Sequence, residues 1–576
     1  MLKKGRFWFL IGVCLALFWG CVVEQKVDSF ASAERYLQEK LLPKISVATS
    51  LIPDRVASRY TIDGIQEPLP PIEQFPLYAA QPSTNPKVVY LEIFSSSEKA
   101  NIKKQNEGWL VEVAQAFNRE RKTISSGQVI QVGVRKIPSG TAAKLLAAGK
   151  VTPTGYSPSN DLWVAMLSSQ GIKTISILPR LVPNVGGFVL QDSVYRELAA
   201  NGEVNFDKLL NAIASGKLSV GYPNPYSSST ALNLLYSIFW RAAGHQQDGE
   251  PLTIADLESP QVKSVFQSFQ KQVLITTTTT LDLQEIFIRD KEKLQAFPLE
   301  YQNYQQLKKV PGFEKTVFIP FGIPHNNPLV GFSWNTAKQQ EALQKFASFA
   351  ASDAMKKLAE QQGFVETDYL LAPNLPPIPE GEVLTTAQSF WKRQKDAGRT
   401  VYLMTVIDTS GSMEGQPLGM VKEGLRIATQ EINPGNYVGL ISYNEGPREM
   451  VELAPFDEMQ HKRFLAAIDN LRADGGTAMY DAMMVALGKL LEQKKVNPNG
   501  LFYILVLTDG QTNEGFVFGK VKEVLQYSGV RVYPIAYGDV NQQELEAIAA
   551  LRESTVKTGT PETVKELLKG LFQTNL

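Results

Sequence analysis

Asp408, Ser410 and Ser412 stand at every second position of Asp408-Thr-Ser410-Gly-Ser412, one carboxylate and two hydroxyls within five residues. Two later loops carry oxygens of the same kind, Asp474-Gly-Gly-Thr477 and Leu507-Thr-Asp509-Gly510. Hard oxygens suit Mg²⁺, with Mn²⁺ and Ca²⁺ as other hard divalent ions. No histidine or cysteine stands in these loops, so a zinc site would lack its usual ligands. Glycines beside the oxygens let the backbone turn sharply and approach an ion closely. Singly, each loop is an ordinary turn or helix cap. Together, Asp408, Ser410, Ser412, Thr477 and Asp509 form a five-residue set at strand ends.

The elements that must position this set are legible around it. Residues 401–407 are apolar and rich in β-branched and aromatic side chains, as expected of a strand buried on both faces of a parallel sheet. Residues 437–442, 501–508 and 530–536 repeat the signal, and helical patterns at 417–430, 458–471, 478–492, 520–528, 542–551 and 563–572 separate or follow them. The expected fold for residues 399–576 is a doubly wound, Rossmann-like α/β sheet that places ligands at the carboxyl ends of its strands. Val-Ile-Asp408-Thr-Ser-Gly-Ser-Met, Gly-Gly-Thr477-Ala-Met-Tyr-Asp-Ala and Leu-Thr-Asp509-Gly, in this order, resemble the von Willebrand factor type A domain and its metal-ion-dependent adhesion site. The resemblance implies that Ser410 and Ser412 ligate the metal directly, Thr477 directly or through water, and the two aspartates partly through water. It also implies that a protein partner offers a carboxylate to the remaining position. Only two aspartates beside a dication leave it electrophilic enough to attract one.

Upstream, β and α signals alternate from residue 87 to about residue 364, which implies a second α/β unit with a mostly parallel sheet. Three of its strands run into hydroxyl-rich loops at helix starts: Ser95-Ser96-Ser97, Ser139-Gly140-Thr141 and Tyr226-Ser-Ser-Ser-Thr230. Free backbone N–H groups and the helix dipole make such positions natural anion sites; equally, each hydroxyl group is a cap for its helix. Phe94-Ser-Ser-Ser-Glu-Lys with Trp109, Ile137-Pro-Ser-Gly-Thr, and Tyr156-Ser-Pro-Ser-Asn-Asp-Leu-Trp163 resemble bacterial extracellular solute-binding proteins, the receptors of ABC importers. That resemblance implies a periplasmic-binding-protein-like domain with two lobes. The chain would leave the first lobe near 181–189 and return near 320–331. The cleft would be lined by Ser96, Ser139, Thr141, Ser159, Ser228 and Tyr301, and would take a small solute or oxyanion. The run Thr276 to Thr280 reads as an exposed strand or loop rather than a site.

At the N-terminus, Lys3, Lys4 and Arg6 precede an apolar run from Phe7 to Val23, the pattern of an export signal. Gly20-Cys21 resembles a lipoprotein cleavage site at which Cys21 becomes lipidated; an uncleaved membrane anchor and a simply cleaved leader are the alternatives. Cys14 and Cys21 are the only cysteines, so no disulfide framework follows them. Residues 22–86 read as a proline-rich tether or a strap on the next domain, 87–377 as the solute-binding-like domain, and 378–398 as a linker. The solute-binding-like module would then sit next to the anchor and the metal domain beyond it.

With 58 basic and 58 acidic residues in 576, nucleic-acid binding is not a bulk property of the chain. Its three histidines are scattered, and neither a nucleophile elbow nor a P-loop is present, so no enzyme is expected. A secreted hydrolase using the metal as Lewis acid would need a general base that the loops lack. The leading expectation is an exported, membrane-anchored binding protein on the periplasmic or cell-surface face. The alternative is an ABC-importer receptor whose metal domain organises the assembly.

Overall fold

The computed structural model describes residues 26–62, 69–102, 107–200, 202–290, 292–371, 374–538 and 540–576. The C-terminal sheet runs, edge to edge, Ala48–Thr49, Pro447–Pro455, Tyr437–Tyr443, Val401–Asp408, Leu501–Thr508, Arg531–Tyr537 and Lys557–Gly559. Its centre is parallel: Val401–Asp408 pairs in the same direction with Tyr437–Tyr443 and with Leu501–Thr508. Every residue of Val401–Asp408 is buried because helices cover both faces. Leu403 and Leu505 pack on one side with Val421, Phe464 and Leu568, while Met404 and Ile504 pack on the other with Leu487 and Leu525. That is the period-two alternation of a strand with two cores. Pro447–Pro455 is an antiparallel strand absent from the sequence reading. Arg448, Glu449 and Glu452 interrupt its apolar run, as an edge position requires.

The largest departure from the sequence reading is the stretch read as a tether. Ser29 caps helix Phe30–Tyr36 in a reciprocal pair with Ser32, and Leu37 and Leu41 are buried in the core beside Met483 and Leu487. Ala48–Thr49 then adds a parallel strand to the edge strand at Arg448–Glu449. Beyond that edge, Ile52 and Ala57 enter the core on the opposite face. Arg463 holds Asp54 at 2.7 Å. Residues 29–57 therefore wrap the edge of the C-terminal sheet and cover its free N–H and C=O groups. The physical cause is four well-spaced apolar side chains, too few to read as a domain and enough to fill two cores. It follows that the C-terminal domain, not the solute-binding-like domain, carries the first described residues of the chain. Only the later half of the proline-rich stretch reaches the solute-binding-like domain, where Arg135 donates to the carbonyls of Ile72 (3.1 Å) and Phe75 (2.8 Å).

Two further sheets form that domain. The first lobe runs Leu77–Tyr78, Val129–Lys136, Val88–Ser95, Gly155–Ser157, Leu329–Phe332 and Thr174–Leu178. The second runs Val317–Pro324, Val185–Leu190, Ala296–Glu300, Val220–Pro223 and Val273–Thr277. The chain crosses between Leu178 and Val185, overlapping the expected stretch 181–189 but starting before it, and returns between Pro324 and Leu329, within 320–331. Helix Gly381–Gln394, expected as a linker, lies across both lobes. It packs on Leu162–Ser169 of the first and on Ser229–Ala242 of the second, with Val383, Phe390 and Trp391 in the shared core. Gly381 permits the approach, since a Cβ there would meet the Ala165 carbonyl oxygen at 2.2 Å. Trp391 donates to the Tyr222 hydroxyl at 2.6 Å.

The second lobe docks on the C-terminal domain at the amino ends of its strands. Arg531 donates to the Leu274 carbonyl (2.9 Å), Arg289 donates to that of Ser554 (2.7 Å), and Lys557 pairs with Asp282. Among the described residues, no helix is long and apolar enough to cross a membrane. The expected anchor at 1–21, with Cys21, lies outside the described residues.

Candidate metal centre and ligand cleft

Asp408 is the last residue of a strand buried on both faces, so its carboxylate emerges from the core at the carboxyl end of the sheet. Its Oδ1 accepts the Ser410 backbone N–H at 2.8 Å, which folds the following loop back over it. Its Oδ2 accepts from the Thr508 hydroxyl at 2.9 Å and lies 3.2 Å from the Tyr443 hydroxyl. Ser410 Oγ and Ser412 Oγ are 3.1 Å apart, and Ser412 donates to Asp509 Oδ1 at 2.8 Å. The loop of Thr477 is tied to the same place: Gly411 N–H bonds the Gly475 carbonyl (3.1 Å) and Asp474 N–H that of Thr409 (2.9 Å). Asn513 Oδ1 accepts the Thr477 N–H at 2.8 Å. The three loops thus meet at one end of the sheet, with Asp408, Ser410 and Thr477 buried and Ser412 exposed at the rim.

The electrostatics of this cluster favour a cation. Burial, with the nearby Asp408 charge adding to it, pushes the Asp509 carboxyl above its usual range, and Ser412 offsets only part of this. Burial and the same Asp408 charge push the Tyr443 phenol up. Among the described residues, no group of three or more His, Cys, Asp or Glu side chains comes together. A metal here would rest on two carboxylates and three hydroxyls, a donor set that fits a hard dication. Tyr443 and Thr508, which hold Asp408 from behind, escaped the sequence reading because they sit inside strands that read only as core.

The second site is a cavity of about 470 Å³ between the lobes. Ser96, Ser139, Thr141, Ser159 and Ser228 all line it. Tyr301 does not, and this corrects the expectation. The strand ends at Glu300, which turns inward, so the next side chain points away; the Tyr301 ring packs edge-on against Phe318 with centroids 5.1 Å apart. Thr278, Thr279 and Thr280 line the cavity as well, against the reading of the threonine run as no site, although Thr279 is exposed as that reading expected. They do so because strand Val273–Thr277 ends there and Thr279 caps the next helix.

Several hydroxyls are used internally. Ser228 caps its helix through the Ala231 N–H (3.3 Å), and Ser159 donates to Glu98 Oε1 at 2.7 Å. Glu98 rests against the fully buried Lys99, whose ammonium also donates to Asn327 Oδ1 at 2.6 Å. Burial would raise the Glu98 carboxyl, but Lys99 and the Ser96 and Ser159 hydroxyls outweigh it and hold it below its usual value. Across the cavity, Thr230 Oγ1 (2.9 Å) and His325 Nδ1 (2.7 Å) contact Glu300 Oε1. The Asn233 amide is oriented by Ile323, so its NH₂ faces His325 Nε2 at 2.9 Å. That nitrogen therefore accepts, and Nδ1 carries the proton given to Glu300. Glu300 Oε2 is buried and has no partner among the described residues.

Residues 403–569 match the family described as von Willebrand factor type A domain, and residues 104–365 match the family described as bacterial extracellular solute-binding protein. An uncharacterised protein of Synechocystis is 27% identical over 176 residues, covering 30% of this chain and 40% of that protein. Pig inter-alpha-trypsin inhibitor heavy chain H4 is 30% identical over 130 residues, 21% of this chain and 14% of its own. The chain thus spans well under half the length of these relatives. Among solved structures, a von Willebrand factor type A protein from Catenulispora acidiphila is similar at 23% identity and TM-score 0.28, covering 30% of this chain and 42% of that one. Iron-bound HitA from Pseudomonas aeruginosa is similar at 15% identity and TM-score 0.36, covering 54% and 99%. The chain joins a bacterial extracellular solute-binding domain to a von Willebrand factor type A domain.

Proposed function

We propose that this is an exported binding protein that docks a protein partner through a divalent ion, Mg²⁺ by preference. Asp408, Ser410, Ser412, Thr477 and Asp509 would hold the ion, and a partner Glu or Asp would complete its shell. The observation that carries this reading is the convergence of three loops at one sheet end, with Ser410, Ser412 and Asp509 linked in a row beside buried Asp408. The bound ion supplies an electrophilic point for an outside carboxylate. The chain's own residues supply a rigid floor, since Thr508 and the Ser410 N–H fix the Asp408 carboxylate before any ion arrives. Two aspartates without a neighbouring general base support binding rather than hydrolysis. The cleft adds a small-solute site.

The importer-receptor reading requires the lobes to hinge apart to load solute. Helix Gly381–Gln394 lies across both lobes, and the C-terminal domain docks on the second, so the observed packing favours a fixed adhesion module. If an N-terminal anchor is retained, the wrap of residues 29–57 places the metal domain nearest the membrane. Calorimetric titration with Mn²⁺ tests the metal site, with Asp408→Ala as the control. The reading predicts saturable binding lost in the variant, together with EDTA-sensitive partner capture from envelope extracts. Unchanged Mn²⁺ binding by Asp408→Ala would refute it.

A further inference from the structure

The closing helix Val564–Asn575 belongs to two structures at once. Val564, Leu568, Leu571 and Phe572 are buried in the metal domain's core. Glu566, Lys569, Gly570 and Gln573, at i, i+3, i+4 and i+7 on another stripe, line the cavity between the lobes. The helix is held there by a buried hydrogen bond from Asn224 Nδ2 to Gln573 Oε1 (2.7 Å) and by Lys392, which donates to the carbonyls of Gln573 (2.9 Å) and Leu576 (3.1 Å). Gly570 passes Thr278 at ordinary contact distance, since a Cβ there would lie 3.4 Å from Thr278 Cγ2.

We propose that the cleft and this helix form one composite site for a neutral polyhydroxylated solute of the saccharide class, whose binding holds the two domains together. The proposal rests on the cleft being a solute site. Its chemistry follows from the walls. Glu300 offers a buried, unpartnered carboxylate oxygen that calls for a hydrogen-bond donor. Glu98, held ionised by Lys99, offers a second acceptor and would repel an oxyanion. Lys136, Lys144 and Lys569 line the same walls together with Glu107 and Glu566, so with Lys99 behind the floor four lysines stand against four carboxylates. A net-neutral ligand with donors and acceptors on every side fits such walls. Lys144 lies 5.1 Å over the Tyr226 ring, and both side chains line the same wall. A volume of about 470 Å³ is in the range of small-molecule sites.

The experiment uses the full chain, with glucose, maltose and inositol as neutral probes and sulfate and glutamate as charged ones. Thermal shift and calorimetry read binding, and hydrogen exchange reads the amides of 564–575. A neutral saccharide is expected to raise the Tm, and Glu300→Gln to weaken it by about tenfold or more, the loss of a bond to a charged acceptor. The same saccharide is expected to slow exchange in 564–575, and Gln573→Ala to weaken its affinity by loosening the docked helix. The exchange measurement on the unsubstituted chain stands whether or not a variant folds. No response to any probe would overturn the cleft as a solute site, and the composite site with it. Saccharide binding that leaves 564–575 exchange and the Gln573→Ala affinity unchanged would overturn the composite site alone. Binding of sulfate or glutamate but of no saccharide would overturn the solute class.

Discussion

Leu37→Ala separates a wrapped segment from a tether. Leu37 is fully buried, and Leu41, four residues on, is 2% exposed; both face Met483 and Leu487 of helix Met479–Val496. The next residue, Leu42, crosses that helix at Gly488, where a Cβ would lie 3.0 Å from a Leu42 methyl. A glycine inside a helix costs about 1 kcal/mol relative to alanine, and here the close crossing accounts for it. Truncating a fully buried leucine removes its transfer free energy and leaves a cavity, about 3 kcal/mol in total. At about 1.4 kcal/mol per decade, the domain's unfolded population rises roughly a hundredfold.

Hydrogen exchange of the amides in Val401–Asp408 and Leu501–Thr508 reads this directly, because these central strands open only with the whole domain. Tryptophan fluorescence is an internal control, since all seven tryptophans precede residue 399 and the five among the described residues, Trp109, Trp163, Trp240, Trp334 and Trp391, report on the other module. Urea unfolding should then move the far-UV transition of Leu37→Ala further than the tryptophan transition. If the segment were a tether, the substitution would stay within about 0.5 kcal/mol and exchange within about threefold, which would refute the wrap.

Three further outcomes follow. Burial lowers the His461 pKa from 6.5 to about 4, while its Nε2 stays bonded to Thr429 Oγ1 at 2.8 Å. The unfolded chain therefore binds the proton first as pH falls, and the C-terminal domain should lose up to about 3 kcal/mol between pH 6.5 and 4; His461→Gln, followed by urea midpoints, should flatten that slope. Trp391→Phe leaves the buried Tyr222 hydroxyl without its 2.6 Å donor and should cost the solute-binding domain about 2 kcal/mol or more in chemical unfolding, with the metal domain's central-strand exchange little changed. If Cys21 is a lipidation site, Cys21→Ala should abolish globomycin-sensitive processing, and processing that continues unaltered would remove the lipid anchor from the reading.

The convergence of the candidate metal loops was legible because the sequence concentrates unusual chemistry at strand ends: Asp408, Ser410 and Ser412 follow a run too apolar for anything but a central strand. Hydroxyl-rich helix starts likewise located five cleft residues. What stayed hidden was long-range. Glu300 and Tyr301 are neighbours, and which of them faces the cavity depends on strand parity, which a one-residue boundary error reverses. Thr278 to Thr280 carry no pattern beyond repetition. Leu37, Leu41, Ile52 and Ala57 looked like stray apolar residues in a polar stretch, because the cores they fill are built by residues more than 300 positions later.

The position of the candidate metal centre follows from how the C-terminal sheet is closed off. Helices take both faces, and Ala48–Thr49 takes one edge. The solute-binding domain takes the amino ends, through Arg531 at the start of one strand and Lys557 at the start of another. The carboxyl ends bear Asp408 and Asp509, on the side away from that interface. A partner approaching along the strands, as proposed, would therefore meet the loops of Asp408 and Asp509, with the solute-binding domain behind them. The closing helix is the element that runs between these regions, packed on the sheet along one stripe and lining the solute cavity along another. Under the composite-site proposal, a change in the cleft that shifts this helix would act on the domain that bears Asp408 and Asp509, without any direct contact between the two sites.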